Sequence, residues 1–323
     1  MNALTQDPRM PLLGRALDPA EVERALSRLA GWEGAAVRAI RAVRYKPGRR
    51  CLIEYDIELP SSELVSLVAK ARARGADHAT FAVLLELRRQ GFDERSADGI
   101  SVPEPIAVIP ELGLWLQRKI DGVSATEGLA AAHGVALARR LAEAAHKLHG
   151  AAVPARREHT MADELRILHD CLHAVAAQRP DWAARLERLL AACARIAAAT
   201  PLPRGCGIHR DFYPDQVLVD GDRLYLLDFD LCCRGDPALD IGNCIGHITE
   251  QALRTRRDPC AFTDQEAALE ERFLELAGEQ TRPAVRAYAL LTLARHVYLS
   301  AQRVERQPFT AGLLALCEER LEC

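Results

Sequence analysis

The chain has 323 residues, of which 49% are hydrophobic and 27% charged, with a formal net charge of −3. That length is above the size at which one hydrophobic core stops growing, so two lobes are expected. The near-neutral charge gives no electrostatic reason to expect nucleic acid as a partner. The opening MNALTQDPRM has no apolar run and no stretch approaches 18 uncharged apolar residues, so neither a signal peptide nor a membrane span is expected and the chain reads as cytoplasmic. The ten cysteines, Cys51 to Cys323, contain no C-x-x-C pair, and Cys232-Cys233 is merely adjacent. They read as reduced thiols rather than a disulfide framework or a zinc site.

In chain order, Asp18 as N-cap, Pro19 at the first helical position and Glu21 two residues on predict a helix with Val22, Leu26 and Leu29 on its apolar face and Gly31 as its end. From Ala36 to Leu59 the pattern is strand-like, broken by Lys46-Pro47-Gly48-Arg49-Arg50, which predicts a hairpin turn. In the second strand Leu52, Glu54, Asp56 and Glu58 alternate with their neighbours. In the first, Val37, Ile40 and Val43 do not, and its register stays open. Ser66 to Lys70 is a third strand. Asp77 to Gln90 is a helix with Phe81, Leu84, Leu85 and Arg88 on one side and Gly91 as its stop, and Val102–Ile109 and Leu114–Ile120 are two further strands. Five strands with one helix make a small α+β lobe, residues 1–119 including the leading helix.

Beyond Asp121-Gly122 the composition turns Ala- and Leu-rich. Ala125–His149, Met161–Ala176 and Trp182–Ala198 read as helices, and others start near Ala238, Asp264, Pro283 and Thr310. Residues 120–323 are therefore a mainly helical lobe. It carries one small β insertion, IHRDFYPDQVLVDGDRLYLLDFDLCCRGDPALD, running from Ile208 to Asp240.

That insertion carries the chemistry. Val217 to Val219 and Leu224 to Leu227 are short strands joined by the turn Asp220-Gly221-Asp222, with Asp211 before the first and Asp228 after the second. A carboxylate at each place suits two tasks beside a nucleoside triphosphate: taking a proton from an attacking hydroxyl (Asp211) and holding the metal that screens the phosphates (Asp228). Taken singly, each is equally a turn aspartate bonded to its own loop. Two of them around one strand pair are harder to assign to turns alone.

The stretch resembles the aminoglycoside phosphotransferase family of kinase-like small-molecule phosphotransferases, whose pattern is H-x-D-x-x-x-x-N, an apolar strand, D-F-x and G-D-P-x-x-D. His209, Asp211, Asp228, Phe229, Gly235, Asp236, Pro237 and Asp240 fit it. The resemblance covers nearly the whole chain after about residue 34. It implies an α+β, bilobal protein-kinase-like fold with a small β-rich nucleotide-binding lobe and a larger helical lobe. It also implies ATP and Mg²⁺, with Asp211 as catalytic base, Asp228 as magnesium ligand, and His209 and Asp240 bracing the catalytic loop. The acceptor implied is a small hydroxylated molecule: an aminoglycoside, sugar, amino sugar, amino alcohol or homoserine-like amino acid. The family's metal-binding asparagine position holds Gln216, which keeps the carbonyl oxygen but adds a methylene and a rotor.

Lys70, at the end of VSLVAK, matches the phosphate-pairing lysine of kinases, and its partner acid is open between Glu86 and Asp77. The hairpin around Gly48 could cover the triphosphate with backbone amides. Gln117-Arg118-Lys119 falls where family members place adenine against backbone groups. His146 and His149 read as ordinary helical histidines. Two alternatives stay open. One is a nucleotide-binding pseudokinase without turnover, for which Gln216 speaks. The other is a protein kinase, against which stands the lack of room for a peptide-docking segment between Asp228 and Gly235.

Overall fold

The apolar alternation around Ile53 builds the centre of a sheet in the structure, a computed structural model that describes residues 6–154, 157–201 and 204–322. The chain divides into two compact units, Met1–Asp121 and Gly122–Cys323. No helix among the described residues is long and apolar enough to cross a membrane. The nine described cysteines are free thiols, and Cys323 lies outside the described residues.

The first unit holds α1 (Leu13–Ala16), α2 (Pro19–Leu26), β1 (Ala36–Lys46), β2 (Arg50–Glu58), β3 (Leu64–Arg72), α3 (His78–Arg89), the short β4 (Ile100–Ser101), β5 (Pro105–Ile109) and β6 (Leu114–Arg118). Five strands form one sheet in the order β1-β2-β3-β6-β5, with antiparallel neighbours throughout. Cys51, Ile53, Tyr55 and Ile57 of β2 face a core with Val65 and Leu67 of β3 and with Met10, Leu13, Val22 and Leu26 of the leading segment. Each large apolar side chain sealed there contributes about 1.5–3 kcal/mol. The Tyr55 hydroxyl, buried with its ring, donates to the Ala16 carbonyl at 2.7 Å, so the polar tip is satisfied where α1 ends.

The irregular pattern of β1 has a physical cause. Its register against β2 slips between Val37 and Ala39 and again between Ala42 and Arg44. Val43 is an inserted residue and stands exposed, because each bulge adds one residue and resets the alternation. Two expectations need correction. The first long helix ends at Leu26, capped at Ser27, and Leu29 and Gly31 belong to following turns, Gly31 with φ +83°. On α3 the buried face is Thr80, Val83, Leu84 and Leu87 rather than the stripe through Phe81, Leu85 and Arg88. Gly91 does follow the helix in the left-handed conformation, φ +87°.

In the second unit, β7 (Val123–Ser124) and α4 (Ala125–Leu129) precede α5 (Gly134–His149). The expected single helix from Ala125 to His149 is therefore two. The chain turns at Ala130–His133, and a side chain on Gly134 would run into the Leu129 carbonyl, 2.1 Å from the Cβ position. Then follow β8 (Glu158–His159), α6 (Met161–Gln178), α7 (Ala183–Ala199), β9 (Cys206–Ile208), β10 (Val217–Asp220), β11 (Arg223–Leu226), β12 (Cys233–Gly235), α8 (Pro237–Arg256), α9 (Thr263–Ala277), α10 (Arg282–Ala301) and α11 (Thr310–Glu322). β10 pairs with β11 and β7, and β12 lies between β8 and β9. Leu168, Leu172, Leu186, Leu189, Leu293, Val297, Leu313 and Leu314 of α6, α7, α10 and α11 form the helical core.

α8 is the axis of this unit, buried on nearly every side from Ala238 to Ala252. Its close approach to α10 depends on Gly242. A Cβ there would lie 2.5 Å from Tyr288 Cβ and 2.7 Å from the Ala289 nitrogen and the Val285 carbonyl oxygen. Two of these are backbone atoms that no rotamer change can remove. Gly242→Ala is expected to cost about 1–3 kcal/mol, read as a lower urea midpoint. An unchanged midpoint would contradict the close approach.

Candidate active site

β9 delivers a loop, His209 to Phe212, that α8 clamps from the other side. Asp240, fully buried in the first turn of α8, accepts from the His209 amide through Oδ2 at 2.9 Å and from the Arg210 amide through Oδ1 at 2.7 Å. His149, the last residue of α5, donates from Nε2 to Asp240 Oδ2 at 2.9 Å. One turn further along α8, Asn243 donates from Nδ2 to the Phe212 carbonyl at 3.0 Å. Residues three apart on a helix share a face, so Asp240 and Asn243 grip both ends of the loop. Arg210 sits at φ +69°, a conformation costing roughly 1–2 kcal/mol for a residue with a Cβ, and these bonds hold it there.

His209 is buried and donates from Nε2 to the Leu227 carbonyl at 2.6 Å. A carbonyl only accepts, so that nitrogen carries the proton. The ring lies against Phe229 and Phe212, centroids 4.9 Å and 6.0 Å away. Through His209 the loop is tied to the end of the strand pair, immediately before Asp228. Asp228 itself adopts φ +56° and opens a short helical turn, Phe229–Leu231. Gln216 closes another, Pro214–Gln216. The Leu227 amide donates to the Gln216 carbonyl at 2.8 Å, so the β10–β11 ladder continues one step and sets Gln216 and Asp228 at neighbouring strand ends.

A carboxylate and an amide carbonyl are hard oxygen donors, the set that Mg²⁺ takes up and completes with water and phosphate oxygens. Among the described residues no group of three or more His, Cys, Asp or Glu could hold a metal. Asp228 and Gln216 are two donors of that kind at neighbouring strand ends. Asp211 is held above the ordinary carboxylate range. Burial is the main cause and the nearby charge of Asp228 adds to it, while His209, Arg295 and Arg210 oppose it. Arg295 is fixed in turn, its guanidinium donating to Glu164 at 3.2 Å and to Asn243 Oδ1 at 2.8 Å. His159 closes the chain, bonding Glu164 at 2.6 Å.

The candidate nucleotide residues occupy the first unit. Lys70 is paired with Leu52 and Trp115 across the sheet, and its Nζ lies 5.3 Å from the Trp115 ring centroid. Register places Gln117 two residues on, on the same face, opposite Val68. Lys119 donates from its amide to Ser66 at 2.9 Å and from Nζ to Glu54 at 3.0 Å. The two acids considered for Lys70 sit at the start of α3 and within it. Asp77 caps α3 through the Ala79 and Thr80 amides and pairs with Arg72 at 3.1 Å. Glu86 accepts from Gln90 at 2.8 Å. Gly48 has φ +65°, and its amide donates to Asp7 Oδ2 at 2.6 Å, beside the Tyr45 hydroxyl at 2.8 Å on the same oxygen. An internal carboxylate thus occupies the hairpin amide.

The sequence reading missed Asn243, Arg295, Glu164 and Asp7 and assigned His149 no role. Asn243 left a trace: a polar residue three after Asp240 within the otherwise apolar stretch Ile241 to Gly246. Arg295 and Glu164 meet from helices 131 positions apart, a distance no local pattern spans.

The family model described as "Phosphotransferase enzyme family" (APH) matches residues 60–288, well over half of the chain. A homoserine kinase from Parvibaculum lavamentivorans is 35% identical over 159 residues, 46% of this chain and 48% of that protein. The match thus spans about half of that relative's length. Among solved structures, a choline/ethanolamine kinase family protein from Mesorhizobium loti aligns with TM-score 0.60 and 19% identity, over 94% of this chain and 95% of that one. A thermostable mutant of aminoglycoside phosphotransferase APH(4)-Ia, in ternary complex with AMP-PNP and hygromycin B, aligns with TM-score 0.61 and 18% identity, over 93% and 97%. At those identities the structures establish the fold: α+β, with a sheet-rich unit and a helical unit.

The Asp7 contact makes a pH-dependent prediction. The Gly48 amide, and after it the Tyr45 hydroxyl, hold the Asp7 carboxyl below its ordinary range. A lowered folded pKa stabilises above the unfolded value and is lost as pH falls through the folded one. Asp7→Asn should melt earlier than wild type near neutral pH, and the difference should shrink as the pH drops below the usual carboxylate range. A difference independent of pH would show that charge on Asp7 is not what holds the hairpin.

Proposed function

The chain belongs to the phosphotransferase enzyme family, and from that premise we propose that it transfers the γ-phosphoryl group of ATP to a hydroxyl of a small molecule. One arrangement carries this reading: Asp211 lies on a loop held by Asp240 and Asn243, and Asp228 and Gln216 stand at adjoining strand ends. Phosphoryl transfer needs little beyond positioning and charge, and a clamped loop with a raised carboxyl supplies the first.

In the proposed step the acceptor oxygen attacks the γ-phosphorus while its proton passes to the Asp211 carboxylate. The bond from phosphorus to the bridging oxygen breaks, and ADP leaves with the electron pair. Asp228 and Gln216 would hold Mg²⁺, which when bound supplies positive charge against the phosphate oxygens. His209 fixes the spacing between the two loops through Leu227. Lys70 pairs with the phosphates, and the segment of Gln117 and Lys119 borders the adenine. Gln216 retains the oxygen that the chemistry requires, so it is compatible with turnover.

The test is ATP consumption by the purified protein with Mg²⁺ across homoserine, ethanolamine, choline, sugars and hygromycin B. Turnover with one class names the acceptor. Asp211→Ala should lower kcat by roughly 10²–10⁴-fold while sparing ATP binding, and Asp228→Ala should weaken Mg-ATP binding as well. Because the base must be ionised and burial raises Asp211, the acid limb of kcat/KM, which reports the free enzyme, should lie above the ordinary carboxylate range. Wild-type turnover in Asp211→Asn would overturn the assignment.

A further inference from the structure

Glutamine at position 216 raises a problem that an acidic ligand does not. Its amide has two unlike ends, and only the oxygen can ligate a hard cation. The extra methylene also gives the group one more rotor than asparagine. Something must choose the orientation if this residue is to serve a metal.

Tyr213 is placed to do so. Gln216 Nε2 donates to the Tyr213 hydroxyl at 3.0 Å. The two residues are locked in one turn, the Gln216 amide donating to the Tyr213 carbonyl at 2.8 Å across Pro214, whose ring fixes φ. The tyrosine ring is itself supported. It stacks on His247 of α8 with centroids 4.1 Å apart and planes 15° from parallel. His247 meets the edge of the buried His296 of α10 at 4.5 Å. Burial holds both imidazoles below their ordinary range, His296 at about 3, with the surrounding arginines, Arg295, Arg306 and Arg254, adding to it and His296 adding to it for His247. The stack is thus an uncharged pile of rings standing on the same two helices that carry Asn243 and Arg295.

We infer that Tyr213 is a positioning residue for the metal donor set: its hydroxyl takes the nitrogen end of the Gln216 amide and leaves Oε1 as the end available to a cation beside Asp228. The inference rests on the proposed phosphotransferase reading. It explains how a chain with glutamine at the asparagine position keeps a defined ligand. The pile on α8 and α10 holds the tyrosine, and the tyrosine holds the amide.

The measurement is Mn²⁺ binding, followed by electron paramagnetic resonance in the presence of ADP, for wild type, Tyr213→Phe, Gln216→Glu and the double variant. Tyr213→Phe keeps the stacked ring and removes one hydroxyl. Its Mn²⁺ affinity in the ADP complex should fall roughly tenfold, the low end for a residue that orients a ligand, while its ADP affinity without metal stays as in wild type. A glutamate has two equivalent oxygens and needs no partner to choose between them. In the Gln216→Glu background the same Tyr213→Phe step should therefore change Mn²⁺ affinity by less than about twofold. Equal losses in both backgrounds, or no loss in either, would overturn the inference while leaving the phosphotransferase reading standing. A wild-type protein that binds no Mn²⁺ with ADP would overturn both.

Discussion

A single buried carboxylate sets the geometry on which the rest of the candidate site depends. Asp240 accepts from two consecutive main-chain amides and from His149, so three donors that would otherwise be orphaned in the interior are satisfied at once. Its place in the first turn of α8 suits a negative charge, because the helix amides there point toward it. The same bonds hold Arg210 in a left-handed conformation that its side chain disfavours. The strain is small beside three charge-assisted hydrogen bonds in a dry setting. A loop so determined has little freedom left, and Asp211 is presented from it.

Around this anchor the second unit builds a continuous polar network in an otherwise apolar core. Asn243 joins the loop to Arg295, Arg295 joins α10 to Glu164 of α6, and Glu164 bonds His159 of β8. Each charge has an opposite or hydrogen-bonding partner, the condition for burying it at tolerable cost. The electrostatic outcome at Asp211 is a contest. Removal from water and the neighbouring Asp228 favour the protonated form, while His209, Arg295 and Arg210 favour the ionised one. Burial prevails, leaving a carboxylate more basic than one in water.

The first unit shows the same economy in a different place. Its hairpin turn offers an amide at Gly48, and the leading segment fills it with Asp7, while the hydroxyl of Tyr55 is capped by the end of α1. The residues before the sheet are thus part of the unit's packing. On the opposite face Lys70, Trp115 and Gln117 share one side of paired strands, and α3 brings the Phe81 ring to Trp115, 6.1 Å between centroids.

The elements of this protein were legible because they are local. Alternation at period two marked β2, an N-cap followed by proline marked α2, and the spacing from His209 to Asp240 marked the loop, its carboxylates and the family. Signals that depend on a single inserted residue were illegible, as at Val43, where a bulge erases the alternation that would reveal it. The break between α4 and α5 was equally hidden, since Ala-rich sequence supports a helix through it, while in the structure Gly134 passes close to the Leu129 carbonyl, which accepts from Gln265 of α9. Only the tertiary structure decided that His149 meets Asp240, that Arg295 meets Glu164 and Asn243, and that Asp7 fills the turn at Gly48. These partners are separated by 91, 131, 52 and 41 positions respectively. Side-chain periodicity reports which face of an element is buried, not what waits on the other side of the contact.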